Sequence, residues 1–388
     1  MKRRLYAGTD YRRAQTIEEL EGMARRRLPH FAFQYIFGGA EDEVSLAWNR
    51  KIFETLRLVP NTLIDTSKRS LVVPLMGADI AMPLIVAPTG FNGLSWPGGD
   101  VALAKAAASA GIPFTLSTFS TSRIEEVATA GGRLWLQLYI LRNRAIVKNL
   151  LERAAASGFE ALVVTTDANV SSGREWDKRS YRSPGKLTLR CWLETLLHPH
   201  WVAQILQNGM PQIANVVDFI PPEQRSTARR SAFISSQVQR DIHWGDIEEL
   251  RDMWKGKLLV KGILTQGDAQ RALELGVDGI VLTNHGGRQL ETCISPMQVL
   301  PQIVAEFGDK MTVIVDSGFR RGTDVVKGMA LGAHAVMIGR ATLYGVAAAG
   351  EPGARHALQI LSGEIDRTLG MLGRRSFAEV DQKALFNN

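Results

Sequence analysis

The segment TNHGGRQLE (283–291) places an imidazole, two glycines and a guanidinium in four consecutive positions, His285 to Arg288. The imidazole of His285 can take a proton and give it back. Arg288 can grip a carboxylate through two parallel hydrogen bonds, and the glycines beside it let a ligand approach the backbone. A second guanidinium, Arg174, stands in SSGRE, and Asp167 closes the run ALVVTTD (161–167). An aspartate so placed can orient an imidazole and offset its charge once protonated. Tyr139, at the end of LWLQLY (134–139), adds a hydroxyl. Two arginines, a histidine–aspartate pair and a tyrosine suit oxidation of an α-hydroxy acid. The cations would fix the carboxylate, the imidazole would remove the hydroxyl or α-carbon proton, and an electron acceptor would lie alongside. A lone histidine on an apolar run is more often structural; here groups from several segments would have to converge.

The acceptor has its own candidates. Thr89, Ser117, Gln137, Thr165 and Lys261 each sit near the end of an apolar run and could hydrogen-bond a flat heteroaromatic ring. Lys261, closing LLVK, would hold a positive charge against a ring that gains electrons, as proteins do for a flavin. Taken alone, that lysine serves equally well to form a Schiff base. The ring of hydroxyl and amide partners favours the flavin. DSGFRRG (316–322) and GRA (339–341) then combine Asp316, Gly318 and Gly339 with Arg320 and Arg340. Glycines for backbone approach and arginines for charge predict a phosphate site, with a structural salt-bridge network as the alternative.

These residues need a scaffold that brings them together. Eight short apolar runs carry them: 84–90, 114–118, 134–139, 161–167, 258–262, 279–284, 312–318 and 335–340. Continuous apolar middles predict parallel strands buried on both faces. Amphipathic stretches such as 100–111 and 323–333 lie between them, and Gly111, Gly158, Gly276 and Gly332 mark helix ends. Eight β–α units predict an α/β fold, a (β/α)₈ TIM barrel, whose active site gathers at the C-terminal strand ends, with phosphate after strands seven and eight. Every candidate residue falls near such an end. Residues 1–80 form an N-terminal extension with the helical TIEELEGMARRRLPHFAFQYIFGG, expected outside the barrel or over its mouth. About 90 residues separate the fourth and fifth runs, far more than the fold requires.

With these motifs in place, the chain resembles the FMN-dependent L-α-hydroxy acid oxidases and dehydrogenases. TNHGGRQLE is similar to their signature, and the likeness runs from YIFGGAEDE (35–43) to IGRATLYG (338–345). It implies FMN as cofactor, His285 as catalytic base and Asp167 as its partner. It also implies Arg174 and Arg288 as carboxylate ligands and Tyr35 and Tyr139 in the substrate pocket. FMN contacts carry over to Pro88, Thr89, Ser117, Gln137, Thr165, Lys261, Asp316, Gly318, Arg320, Gly339 and Arg340. Within the family, PTGFNGLSWPGGD (88–100), TTDANVSSGRE (165–175) and GMPQIANVV (209–217) are similar to the bacterial membrane-associated (S)-mandelate dehydrogenases. That implies oxidation of (S)-mandelate to the 2-keto acid, electron transfer to a membrane quinone, and a homotetramer. Gly90 stands where oxidases of the family usually carry alanine, leaving room for a bulkier substrate. Thr283 departs from the family's frequent serine but keeps the hydroxyl. The rivals on the same scaffold are an L-lactate dehydrogenase and a hydroxy-acid oxidase using oxygen.

Composition narrows the setting. The chain has 388 residues, 45% hydrophobic and 22% charged, with a net charge of +7. That surplus suits an anionic ligand, nucleic acid or an acidic membrane face, and no basic run with interleaved aromatics reads as a nucleic-acid platform. Cys191 and Cys293 show no metal-ligand spacing and fit a reduced, cytosol-facing setting. No stretch reaches the roughly 18–20 apolar residues that span a bilayer. The insertion at 178–222 is the candidate contact with membrane. KRSYRSPGKLTLR (178–190) holds five basic residues and no acid, and CWLETLLHPHWVAQIL follows it. Trp192, Leu193, Leu196 and Leu197 are expected on one apolar face, and Trp201, Val202, Ile205 and Leu206 on another. A basic collar beside tryptophan-bearing turns suits an anionic bilayer surface at the cytoplasmic face of the inner membrane; packing against a sister subunit or capping the barrel is the alternative.

Overall fold

The computed structural model describes residues 5–183, 186–224 and 233–386. Eight parallel strands close into a barrel: β1 (Leu84–Val86), β2 (Phe114–Leu116), β3 (Leu134–Tyr139), β4 (Ala161–Thr165), β5 (Lys257–Ile263), β6 (Gly279–Leu282), β7 (Thr312–Val315) and β8 (Ala335–Ile338). The ring closes where β8 pairs with β1 through Val336↔Leu84, Met337↔Ile85 and Ile338↔Val86. All eight predicted runs are barrel strands. Several strands stop short of the run that announced them; β1 ends at Val86, and Pro88, which has no N–H to donate to a ladder, already belongs to the loop. The polar tails of the runs are therefore the loops at the barrel mouth.

A crossover helix follows each strand, beginning with Gly99–Ser109 after β1 and ending with Arg340–Met371 after β8. The branched, fully apolar strands are buried on both faces, as the sheet's position between core and helices requires. Gly111, Gly158, Gly276 and Gly332 all take positive φ just past helix ends, the left-handed conformation that lets a helix stop within one residue. A hairpin, Val73–Leu75 against Ala78–Ile80, lies at the opposite end of the barrel, where the Leu75 carbonyl accepts from Arg133 just ahead of β3.

Of the N-terminal extension, the segment 30–55 reaches over the mouth, while its hairpin lies at the other end. Helix α1 (Ile17–Arg27) is capped by Thr16, whose hydroxyl accepts from Glu19 N–H. Pro29 separates it from α2 (His30–Phe37), and α3 (Val44–Thr55) follows. Hydrogen bonds tie the end of α2 and the loop after it to the barrel: Ala40 N–H to Gly287 O, Glu41 N–H to Gly173 O, and the Arg340 side chain to Ile36 O and Gly38 O. Phe53 of α3 packs edge-on against Phe319 with ring centres 4.9 Å apart.

The insertion after β4 divides into two parts. Helix α4 (Leu189–Thr195) and the turn that follows it expose the expected face: Trp192, Leu193, Leu196 and Leu197 are all at least half exposed, Leu197 at 77%. Lys178, Arg179, Arg182, Lys186 and Arg190 are exposed beside it. The face expected on α5 (Pro199–Asn208) is corrected by the structure. Trp201 is buried, its ring edge-on to Phe31 at 5.5 Å and its indole N–H donating to Leu94 O at 2.8 Å. Val202 and Ile205 pack against the core, and of that set only Leu206 is exposed. An amphipathic helix beside a barrel buries its apolar stripe there first; α5 anchors the insertion and α4 stands out from it.

Candidate active site

His285 sits at the end of β6 in the left-handed region, with φ of 58°. For a non-glycine residue that conformation carries a cost and is kept only where neighbours hold it. Here its own N–H donates to Thr283 Oγ1 at 2.9 Å, and Gly287 N–H donates to the side chain of Asn284. A side chain at Gly287 would strike the backbone of Leu46, so the extension's approach explains that glycine.

The turn aims the imidazole across the mouth, with Nδ1 3.0 Å from Asp167 Oδ1. Burial opposes ionisation of Asp167, but His285 and Lys261 more than offset it and hold the carboxyl below the usual range. Its backbone carbonyl is fixed by Gln289 Nε2 at 2.9 Å, and its second oxygen, Oδ2, is buried without a hydrogen-bond partner. With Nδ1 on the carboxylate, Nε2 is the ring nitrogen left for chemistry.

Around this pair stand the other predicted groups. Arg288 donates to Tyr35 O and Gly38 O at 2.9 and 3.0 Å, and its guanidinium lies 5.5 Å from the Tyr35 ring centre. Arg174 lies over the same ring at 5.9 Å. The Tyr35 hydroxyl donates to Gly90 O at 3.2 Å. Tyr139 stacks on Phe119 at 4.9 Å. Burial raises its phenol pKa well above the usual range; Asp167 and Tyr35 add to this, while Arg288 and Arg174 act the other way. All six groups are thus within electrostatic or contact reach of one another.

A second network lines the mouth. Gln137 Nε2 donates to Thr165 Oγ1 at 3.0 Å, and Ser117 Oγ donates to Gln137 Oε1 at 3.1 Å. Lys261 Nζ lies 3.2 Å from Asp316 Oδ2 and 3.4 Å from Thr283 Oγ1. Thr89 Oγ1 is buried with no partner in the protein. At the ends of β7 and β8, Gly318 lies against the Asn49 backbone and Gly339 near Thr89. Arg320 turns over the Tyr344 ring at 5.6 Å and donates to Phe319 O. Arg340 donates to Ile36 O, Gly286 O and Gly38 O at 2.8 to 3.0 Å. Burial, then Arg288 nearby, pushes its guanidinium down to about 9. A buried cation on neutral carbonyls, a second arginine nearby, an unpartnered threonine hydroxyl and a row of amide and hydroxyl groups fit a ring-bearing phosphate such as FMN.

Several supporting residues carried no clear signal in the sequence. Asn49 and Asn284 exchange a reciprocal pair of side-chain amide bonds at 2.7 and 2.9 Å, fastening α3 to the loop after β6. Ser317, inside DSGFRRG, accepts from Gly286 N–H at 3.0 Å. Thr118 accepts from Tyr139 N–H and donates to Gln137 O. Ser317 and Thr118 could have been found as hydroxyls flanking predicted strand ends. Asn49 could not, since nothing local marks its distant partner.

A family model described as FMN-dependent dehydrogenase matches residues 24–387. An (S)-mandelate dehydrogenase of Pseudomonas putida is 45% identical over 359 residues, covering 92% of this chain and 90% of that protein. An L-lactate dehydrogenase of Allorhizobium ampelinum is 38% identical over 380 residues, covering 98% of each. Among solved structures, one described as the monotopic membrane protein (S)-mandelate dehydrogenase superposes with a TM-score of 0.92 at 43% identity, covering 97% of this chain and 100% of that one.

Proposed function

Because the chain belongs to the FMN-dependent dehydrogenase family, an oxidoreductase family acting on hydroxy acids, we propose that it oxidises (S)-mandelate or a close aryl relative to the 2-keto acid and passes the electrons to a membrane quinone. The observation that carries this reading is the His285–Asp167 pair facing Tyr35, Tyr139, Arg174 and Arg288.

Arg288 and Arg174 would bind the substrate carboxylate, for which a planar guanidinium offers paired donors. Tyr139 and Tyr35 would orient the carbinol, Tyr139 as a proton-bearing phenol. His285 Nε2 would take the carbinol proton, and the anionic Asp167 would stabilise the imidazolium that results. General-base catalysis of this kind contributes about 10²- to 10⁴-fold. Pro88, Thr89, Ser117, Gln137, Thr165 and Lys261 would hold the flavin ring, and Asp316, Gly318, Arg320, Gly339 and Arg340 its ribityl phosphate end. When bound, FMN accepts the two electrons of the oxidation. Gly90 has no side chain to press on Phe119 and Ser117, and an unshifted Phe119 would leave an aryl substituent its room.

The membrane part of the reading rests on α4 and its collar. Among the described residues no helix is long and apolar enough to cross a membrane. An exposed face of Trp192, Leu193, Leu196 and Leu197 flanked by five exposed cations suits a peripheral seat on an anionic bilayer. The similar protein described as monotopic supports it. Steady-state turnover of (S)-mandelate and L-lactate, each with oxygen and with a soluble quinone, tests the substrate and the acceptor together. Preference for lactate by a large factor overturns the aryl assignment; equal rates with oxygen overturn the quinone.

A further inference from the structure

Thr283 is fully buried, and its single hydroxyl oxygen meets four groups. The His285 N–H lies at 2.9 Å, Asp316 Oδ2 at 2.9 Å, Ser317 Oγ at 3.2 Å and Lys261 Nζ at 3.4 Å. A backbone N–H and an ammonium can only donate, and a carboxylate only accepts. The one Thr283 proton therefore goes to Asp316, and the two lone pairs of its oxygen take the His285 N–H and, shared at longer range, Lys261 and Ser317. Asp316 Oδ2 in turn lies 3.2 Å from Lys261 Nζ. The ladder continues through Gly286, whose N–H donates to Ser317 Oγ at 3.0 Å. His285 and Ser317 are both non-glycine residues at positive φ, 58° and 89°. Two neighbouring turns that each carry conformational cost are thus stitched together by two hydroxyls.

We infer that Thr283 is a positioning residue that couples the charge Lys261 presents to the flavin with the conformation of His285; the inference rests on the FMN reading above. Its oxygen holds the backbone of the base in place. Its proton meets part of the negative charge of Asp316, so that the carboxylate draws less on Lys261. Thr283→Val keeps the shape and removes both interactions. The His285 N–H then loses its acceptor, and Asp316 leans fully on Lys261, weakening the positive field that favours a ring gaining electrons.

The test uses the full chain loaded with FMN. Thr283→Val is expected to retain FMN but to lower the midpoint potential of the bound flavin by about 30 mV, which is tenfold for a two-electron couple. The kcat for mandelate should fall about tenfold or more while KM stays close to that of the parent. Thr283→Ser, which restores the oxygen, should recover both. Asp316→Asn, which removes the competing charge, should shift the potential upward and so tests the coupling without Thr283→Val. A Thr283→Val protein with the parent's potential, or an Asp316→Asn protein whose potential falls, overturns the coupling. A parent protein that does not take up FMN overturns the cofactor reading itself, and that result is distinct from parent and variant both binding FMN at one potential.

Discussion

The Tyr35 hydroxyl donates to the carbonyl of Gly90 at 3.2 Å, joining helix α2 of the N-terminal extension to the loop that leaves β1. Tyr35 also gives its own carbonyl to Arg288 and its ring face to Arg288 and Arg174. One residue from outside the barrel thus touches both guanidinium groups and the floor beside the glycine. The proposed substrate pocket would thus be built by the extension as well as by the eight strands.

Gly90→Ala tests that floor. The added methyl would sit 3.2 Å from Phe119 Cβ and 3.5 Å from Ser117 Oγ, so Phe119 must yield by a few tenths of an ångström. Overpacking of this kind costs about 1–3 kcal/mol. Turnover of mandelate should fall about tenfold relative to turnover of lactate, read as the ratio of the two kcat/KM values. An unchanged ratio would place the aryl group elsewhere.

Asp167→Asn removes the charge that supports His285. The kcat is expected to drop about 10²- to 10⁴-fold, with FMN still bound. A pH prediction accompanies it. The native Asp167 pKa lies below its unfolded value, so its contribution to stability is present above the unfolded carboxylate range and is lost as pH falls through the native pKa. The gap in unfolding free energy between parent and variant, followed by denaturant titration, should therefore shift against the parent in acid. A gap that does not vary with pH would show that the pair is not ionised in the native state.

Arg288→Lys keeps the charge and loses the planar fork. Both bonds of Arg288 to Tyr35 O and Gly38 O, at 2.9 and 3.0 Å, come from Nη1, and an ammonium that kept them would have a single N–H left for a carboxylate in place of a planar pair. Expected are a fall in kcat/KM of about 10²-fold for mandelate and a lower Tm. A variant with parental KM would remove Arg288 from carboxylate binding.

The exposed face of α4 separates membrane binding from catalysis. Replacing Trp192, Leu193, Leu196 and Leu197 with serine should abolish sedimentation with vesicles rich in anionic lipid while leaving turnover with a soluble acceptor intact. Raising the salt concentration should weaken the binding of the parent, since the collar's contribution of about 1 kcal/mol per cation is screened. Vesicle binding that survives all four replacements would move the contact off this helix.

The sequence by itself determined the barrel and the cast of the site. Branched apolar runs ending in Thr165, Lys261, Asp316 and Gly339 dictate parallel strands with polar mouths, because a strand buried on both faces tolerates polarity only where it leaves the sheet. His285, Arg288 and Asp167 were legible for the same reason. Tertiary structure alone decided the long-range partners. Asn49 finds Asn284, Arg340 donates to carbonyls of α2 and of the His285 loop, and Trp201 leaves the expected exposed face to pack on Phe31. Periodicity reports that a face is apolar but not which surface will cover it, and a polar side chain shows its chemistry but not its distant partner. Both are set by the packing of segments far apart in the chain, which local pattern does not encode.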